Sequence, residues 1–300
     1  MDTDFKSGFV ALVGRPNVGK STLLNACLGQ KVAIESPVAQ TTRKRLRAVV
    51  NTNDAQIVIV DTPGLHKPKD ALGKELNRSA LGELADVDAV AMLVDATMPV
   101  GRGDAWVANH VNACSASFKL LVITKADLSD PQTIASQLES AQKLAEFDDS
   151  IVVSAPEGFN VDGFLSMIVD HLPNGPRWFP EDMSHDASLE DIVAEFVREK
   201  AFLNLREEIP HSVGVVCNSI EYAKDGHASI EATILVERES QKGIVIGSKG
   251  SMIKRIGSQA RPDIERLLGC KVYLSLSVRV QPQWRRDRSE IRRMGYDASE

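Results

Sequence analysis

The sequence has little that would crosslink, export or anchor it. Only four of its 300 residues are cysteine, Cys27, Cys114, Cys217 and Cys270, and none form a CxxC pair. That spacing argues against a zinc site and against a disulfide framework, and predicts buried, reduced thiols. Long apolar runs are missing: residues 57–60 and 89–94 fall far short of the roughly 18 to 20 residues that cross a bilayer, so no transmembrane segment is expected. The start, Met1-Asp2-Thr3-Asp4, is acidic where an export signal is basic and then apolar, so a cytoplasmic location is expected.

What is present is a globular composition, 43% hydrophobic and 25% charged, which excludes wholesale disorder and collagen-like repeats. Its length exceeds one ordinary core and predicts two unequal domains. The net charge of −6 is unevenly spread: residues 238–293 hold 14 Lys and Arg against 5 Asp and Glu. A +9 block in an otherwise acidic chain can attract a polyanion locally while the remainder limits indiscriminate binding.

Residues 9–13 form a short apolar run, followed by a glycine-rich loop and a helical pattern from Gly19. Runs 46–50 and 56–60 flank Asn51-Thr52-Asn53-Asp54 and read as a hairpin. Helical patterns near 72–84, 104–112, 132–147 and 161–172 then alternate with strands 89–94, 120–124 and 151–154. This predicts an α/β domain over residues 1–172, with a mostly parallel six-stranded sheet and one antiparallel strand. The proline-rich stretch 173–187 reads as a linker. Residues 188–282 follow an α-β-β-α-α-β order, a small α+β domain whose first helix opens on Ser188-x-x-Asp191. Residues 283–300 read as a basic tail.

Gly14-Arg15-Pro16-Asn17-Val18-Gly19-Lys20-Ser21 fits GxxxxGK[ST] between a strand and a helix. Glycines let backbone N–H groups approach phosphate oxygens, and the helix start adds a favourable dipole. Lys20 neutralises β- and γ-phosphates, the Ser21 hydroxyl reaches Mg2+, and Asn17, Val18, Gly19 and Thr22 complete the cradle. Asp61-Thr62-Pro63-Gly64 lies at the carboxyl end of a strand, where α/β sheets bind ligands. Asp61 is the expected second-sphere holder of Mg2+, and the Gly64 amide senses a γ-phosphate. Between them, Gln40-Thr41-Thr42-Arg43 reads as a switch, with Thr42 a metal ligand in the triphosphate state. Lys20, Thr42 and Gly64 are the candidate catalytic groups, and Ser21, Thr42 and Asp61 the candidate metal set.

Thr124-Lys125-Ala126-Asp127 and Ser154-Ala155 close two later strands. Guanine-binding domains carry Asn-Lys-x-Asp at the first place, whose carboxylate accepts from guanine N1–H and the 2-amino group. Asp127 preserves this and rejects adenine, whereas Thr124 replaces the bracing carboxamide. No glutamine follows Gly64; Leu65 stands there, so slow intrinsic hydrolysis is expected, and His66 reads as a surface loop residue.

In the second domain Gly247-Ser248-Lys249-Gly250 sits between two helical segments inside the basic block. A GxxG turn there presses backbone against phosphates. Lys249, Lys254 and Arg255 supply cations, and Ile244, Val245, Ile246 and Ile253 line a groove for bases, at least one of the first three belonging to the core. Trp284 and Arg285, in a cation-rich stretch, are candidates for stacking and phosphate contact.

With Arg206-Glu-Glu-Ile-Pro-His-Ser212 and Glu237-Arg-Glu-Ser-Gln-Lys-Gly-Ile-Val-Ile-Gly247 added to these motifs, the whole chain resembles the Era family of bacterial ribosome-assembly GTPases. The resemblance implies a P-loop GTPase domain followed by a type II KH domain. It further implies GTP hydrolysis with GTP/GDP and Mg2+, binding to the 3′ end of 16S rRNA, and a timer or checkpoint role in small ribosomal subunit assembly. A monomer and a peripheral contact with the inner face of the cell membrane are expected with it. The family's loop is often Gly-Lys-x-Gly, and here the lysine is displaced by one. A tRNA-modifying GTPase is disfavoured because no residues remain for a further cofactor domain. An RNA adaptor that binds nucleotide only for conformation is the non-enzymatic alternative.

Overall fold

The computed structural model describes residues 4–36, 42–44, 46–62, 64, 71–206, 209–294 and 296. Of the residues singled out above, Met1, Asp2, Thr3, Gln40, Thr41, Pro63, Leu65, His66, Glu207 and Glu208 lie outside them.

The chain begins with β1 (Lys6–Gly14) and α1 (Lys20–Leu28), then the hairpin β2 (Leu46–Asn51) and β3 (Ala55–Asp61). There follow α2 (Ala71–Glu83), β4 (Ala89–Asp95), α3 (Arg102–Ala113), β5 (Phe118–Thr124), α4 (Pro131–Gln142), β6 (Asp149–Val152) and α5 (Val161–His171). The sheet order is β2-β3-β1-β4-β5-β6, and β2 alone runs antiparallel to its neighbour. β3 and β4 are buried along their whole length, as continuous apolar runs must be when helices cover both faces. On one face Leu23, Leu24, Phe164 and Ile168 pack on the sheet. On the other, Leu84, Val107, Val111 and Ala141 do so; each of the Leu, Val, Ile and Phe side chains contributes about 1.5–3 kcal/mol on burial. α4 ends at Gln142 rather than at 147, because Leu144 N turns back to Ala141 O at 3.0 Å. Its start has a cap not read from the sequence: the Asp130 carboxylate accepts from Gln132 N and Thr133 N, with Pro131 in the first turn.

The second unit contains α6 (Leu189–Asn204), the single turn α7 (Ile209–Ser212), β7 (Gly214–Tyr222), β8 (Ala228–Val236), α8 (Glu239–Ile246), α9 (Ser251–Leu268) and β9 (Val272–Val280). β7 pairs antiparallel with β8, and β8 pairs parallel with β9. Ser188 Oγ accepts from Asp191 N at 3.2 Å and starts α6 as the sequence motif requires. The proline-rich segment between the units lies along the first sheet: Val49 N donates to Ser184 O at 2.8 Å, and Gln56 Oε1 accepts from Trp178 N at 2.7 Å.

The residues after β9 behave differently from a solvated tail. Trp284 is fully buried, and its Nε1 donates to Ser212 O at 3.0 Å. With Ile291 on α10 (Arg288–Arg293), Met294 and Tyr296 it packs on Leu72 and Leu76 of α2. The expectation that Trp284 stacks on RNA is corrected: its indole is core. Arg285 donates to Glu237 Oε2 at 2.8 Å, so part of its guanidinium is engaged within the unit. Trp284→Ala is expected to lower unfolding free energy by about 3–5 kcal/mol, read from urea denaturation of the full chain.

The four cysteines are free but half-buried rather than buried. Burial, and then Asp162, pushes the Cys27 thiol up to about 12, so it stays protonated at neutral pH. No helix among the described residues is long and apolar enough to cross a membrane.

Candidate functional site

The phosphate loop turns between β1 and α1 at the carboxyl edge of the sheet. A Cβ at Gly14 would lie 2.7 Å from Leu93 O and 2.8 Å from Val18 Cγ2, so only glycine lets the loop close against β4. Lys20 is buried, with Nζ 3.2 Å from Arg15 O and 3.4 Å from Gly14 O. Burial lowers its pKa from the usual value and the nearby Asp61 charge opposes this. Gly64 comes close beside it: a Cβ there would sit 3.3 Å from Lys20 Nζ. The cleft, about 380 Å³, is lined by Asn17, Gly19, Lys20, Ser21, Thr22, Thr42, Gly64 and Lys125 among others.

At its inner end three oxygens named from the sequence meet. Ser21 Oγ donates to Asp61 Oδ2 at 2.9 Å, Thr42 Oγ1 donates to the same oxygen at 3.1 Å, and the two hydroxyls are 3.1 Å apart. Asp61 Oδ1 is buried without a hydrogen-bond partner. Burial raises the Asp61 pKa, opposed by Lys20, Ser21 and Thr42. Two hydroxyls and a carboxylate with an oxygen left unpaired form a hard-oxygen set that fits Mg2+. Among the described residues no cluster of three or more His, Cys, Asp or Glu could hold a metal, so a soft-metal site has no competing candidate there.

At the other end Asp127 Oδ1 accepts from Ser154 Oγ at 2.7 Å, and Ala155 follows at the end of β6. Lys125 Nζ lies 2.5 Å from Asp95 Oδ2. Burial works to raise the Asp95 pKa, but bonds from Lys125 and Thr97 hold it below the usual carboxylate range. Thr124 does brace the pocket despite the missing carboxamide. Its buried Oγ1 donates to Val18 O at 2.6 Å, tying β5 to the phosphate loop, and also lies 3.2 Å from Val94 O. Thr124→Val keeps the shape and leaves Val18 O unpaired; it is expected to weaken guanine nucleotide binding by about 1–3 kcal/mol, measured by titration calorimetry.

Sequence reasoning passed over several residues here. Glu35 lines the cleft and accepts from Thr22 Oγ1 at 3.0 Å and Asn25 Nδ2 at 2.8 Å. Asp104 of α3 pairs with Arg15 of the phosphate loop at 2.8 Å. Asp95 alone had a local signal, as an acid ending an apolar strand; the others are acids on unremarkable segments.

In the second unit the GxxG turn joins α8 to α9, with Gly247, Lys249 and Gly250 all at positive φ. A Cβ at Gly247 would meet Met252 N and Cβ at 2.7 Å. Beside it a cleft of about 340 Å³ between α9 and β9 is lined by Ile253, Lys254, Gly257, Ser258, Arg261, Tyr273, Leu274 and Leu276. Val245 is core, as expected for one of the three apolar residues, while Ile244 is half exposed. Tyr273 is 72% exposed on the rim and was not foreseen, although strict alternation along β9 places it outward.

A phosphate loop at a strand-helix junction, a hydroxyl-carboxylate metal set and a carboxylate base pocket, followed by a GxxG helix pair, define a P-loop GTPase joined to a KH module. Family models agree: one described as a 50S ribosome-binding GTPase matches residues 9–125, and one described as a KH domain matches residues 208–285. GTPase Era of Staphylococcus haemolyticus is 45% identical over 294 residues, 98% of each chain. A crystal structure of a variant of Aquifex aeolicus Era bound to GDP and AlF4− is similar at a TM-score of 0.92 with 40% identity, covering 98% of this chain and all of that one. Another, of Era in complex with MgGDPNP and nucleotides 1506–1542 of 16S ribosomal RNA, is similar at 0.93 with 40% identity, covering 98% and 99%. The chain belongs to the GTPase Era family, and its enzymatic activity is GTP hydrolysis.

Proposed function

We propose that this chain binds GTP in the cleft between Gly64 and Asp127, hydrolyses it slowly, and binds the 3′ end of 16S rRNA through the GxxG turn. In doing so it acts as a checkpoint in small-subunit assembly. The observation that carries the reading is the meeting of Ser21, Thr42 and Asp61 within 3.1 Å of one another at the mouth of the phosphate loop. Ser21 and Thr42 would ligate Mg2+, with Asp61 accepting behind them. The ion, when bound, spreads the charge of the phosphate oxygens. Lys20 and the loop amides hold the β- and γ-phosphates and favour the charge that develops as the terminal bond loosens, so catalysis rests on positioning and electrostatics. The Gly64 amide faces the γ-phosphate. Asp127, oriented by Ser154, reads the guanine edge, and Lys125 and Ala155 complete the base pocket.

For RNA, Gly247 to Gly250 would press against the backbone, with Lys249, Lys254 and Arg255 meeting phosphates and the α9–β9 cleft receiving unstacked bases. Both sites are built within one chain, which supports a monomer as the working unit. Any contact with the anionic inner face of a membrane would fall to this same basic surface. The test is fluorescence anisotropy with a 16S 3′-end oligonucleotide and a scrambled one of equal length. The reading expects preference for the native order, and for the Lys254→Ala, Arg255→Ala double variant a weaker affinity for both and a salt slope smaller by about 1–2. Equal binding of the two oligonucleotides would overturn it.

A further inference from the structure

Thr42 and Arg43 are consecutive in sequence yet serve different halves of the molecule. Thr42 Oγ1 reaches Asp61 in the nucleotide site. The Arg43 guanidinium, 2% exposed, is enclosed by the C-terminal half. Nη1 donates to Val213 O at 2.7 Å and Nη2 to His211 O at 3.0 Å. The same group lies 5.6 Å from the ring centres of Phe202 and Trp284 and 5.9 Å from that of Tyr296. Lys44, the next residue, pairs with Asp191 at the start of α6.

The other flank of the switch is fixed to the same helix. Glu35 N donates to Glu199 Oε1 at 2.9 Å, and Lys31 pairs with Glu199 at 2.7 Å and Asp263 at 3.0 Å. Thus α6, with the elements packed on it, holds both ends of the segment that carries Thr42.

Adjacent Cα atoms are only about 3.8 Å apart, so Thr42 cannot move far unless Arg43 leaves its socket. Withdrawal would forfeit two charge-assisted bonds and three ring contacts and take from the buried Val213 carbonyl its guanidinium partner. The socket therefore constrains where Thr42 stands.

We propose that Arg43 is a positioning residue for GTP hydrolysis: seated in the RNA-binding half, it presents Thr42 to the triphosphate, so that half acts as a built-in partner of the switch. This rests on the reading that Thr42 ligates Mg2+ in the triphosphate state. Arg43 is not among the residues that line the nucleotide cleft, so its effect is expected to fall on the triphosphate form through Thr42 and to spare GDP.

The test uses the full chain with Arg43→Ala, Arg43→Lys and, from the socket side, Phe202→Leu. Affinities for GDP and for a non-hydrolysable GTP analogue with Mg2+ are measured beside single-turnover GTP hydrolysis. Arg43→Ala is expected to hold GDP affinity within about twofold while analogue affinity and hydrolysis each fall about tenfold, the shift a lost population of the competent switch produces. Arg43→Lys, unable to span both carbonyls, falls between, and Phe202→Leu moves the same ratio by a smaller factor. An unchanged ratio of analogue to GDP affinity in Arg43→Ala overturns the proposal. If that variant does not bind GDP, the ratio in the other two decides. A Thr42→Ala control separates the failures: an unchanged ratio and rate in it would overturn the Thr42 reading itself.

Discussion

Lys20→Ala is expected to reduce single-turnover GTP hydrolysis by about 10²- to 10³-fold, the loss seen when one preorganised charge-stabilising donor is removed from a closed site. The side chain is buried, its ammonium lies against the Gly14 and Arg15 carbonyls, and its charge is what opposes further neutralisation of Asp61. Removal strips the β- and γ-phosphates of their buried cation and leaves the Asp61 carboxylate less supported, so triphosphate affinity falls with the rate. Lys20→Arg is not expected to rescue, because the Gly64 backbone lies close beside the ammonium and a planar guanidinium is bulkier and presents its donors in a different geometry. Rapid-quench measurement with labelled GTP at saturating enzyme checks both variants, and a loss below about tenfold in Lys20→Ala would remove this residue from the centre of the mechanism.

Asp127→Asn should exchange one base for another. Ser154 Oγ already donates to Oδ1, so the amide oxygen of asparagine keeps that bond and the amide nitrogen takes the place of Oδ2. The amide oxygen still accepts from N1–H, but a donor now confronts the 2-amino donor of guanine, and affinity for GTP is expected to fall by roughly 10²- to 10³-fold, short of the roughly 10⁴- to 10⁵-fold that hydrogen-bonding sites reach because one of the two bonds is kept. Xanthine carries a carbonyl where guanine carries the amino group and can accept from the new amide. Competition binding with GTP, XTP and ATP is the check: XTP should rise above GTP, and ATP should remain weak in both proteins.

Much of the nucleotide half was legible because its determinants are local. β3 carries the apolar run 57–60 and ends in Asp61, and the phosphate loop is one continuous segment whose glycine and lysine spacing has few other uses. The α-β-β-α-α-β order of the second half followed from periodicity and turn residues in the same way. The Arg43 socket was not legible, since Phe202, His211, Val213, Trp284 and Tyr296 converge only through the tertiary fold. Trp284 misled for a related reason: the basic residues around it suggested a solvated surface, while Trp284, Ile291, Met294 and Tyr296 were spaced to bury one face on α2. At Thr124 the residue type suggested a lost brace, but a hydroxyl one atom from the backbone reaches Val18 O at 2.6 Å and supplies one. The expectation of buried cysteines was also too strong, since all four are only partly buried.

Coupling between the two halves is the central physical claim, and reciprocal titration tests it most directly. Affinity for a GTP analogue and for GDP is measured with and without the 16S 3′-end oligonucleotide, and affinity for the oligonucleotide is measured with each nucleotide bound. The oligonucleotide is expected to change the ratio of analogue to GDP affinity, and exchanging GDP for the analogue to change oligonucleotide affinity by the same factor, as linkage requires. Nucleotide affinities indifferent to the oligonucleotide, with oligonucleotide affinity indifferent to the nucleotide, would contradict the coupling.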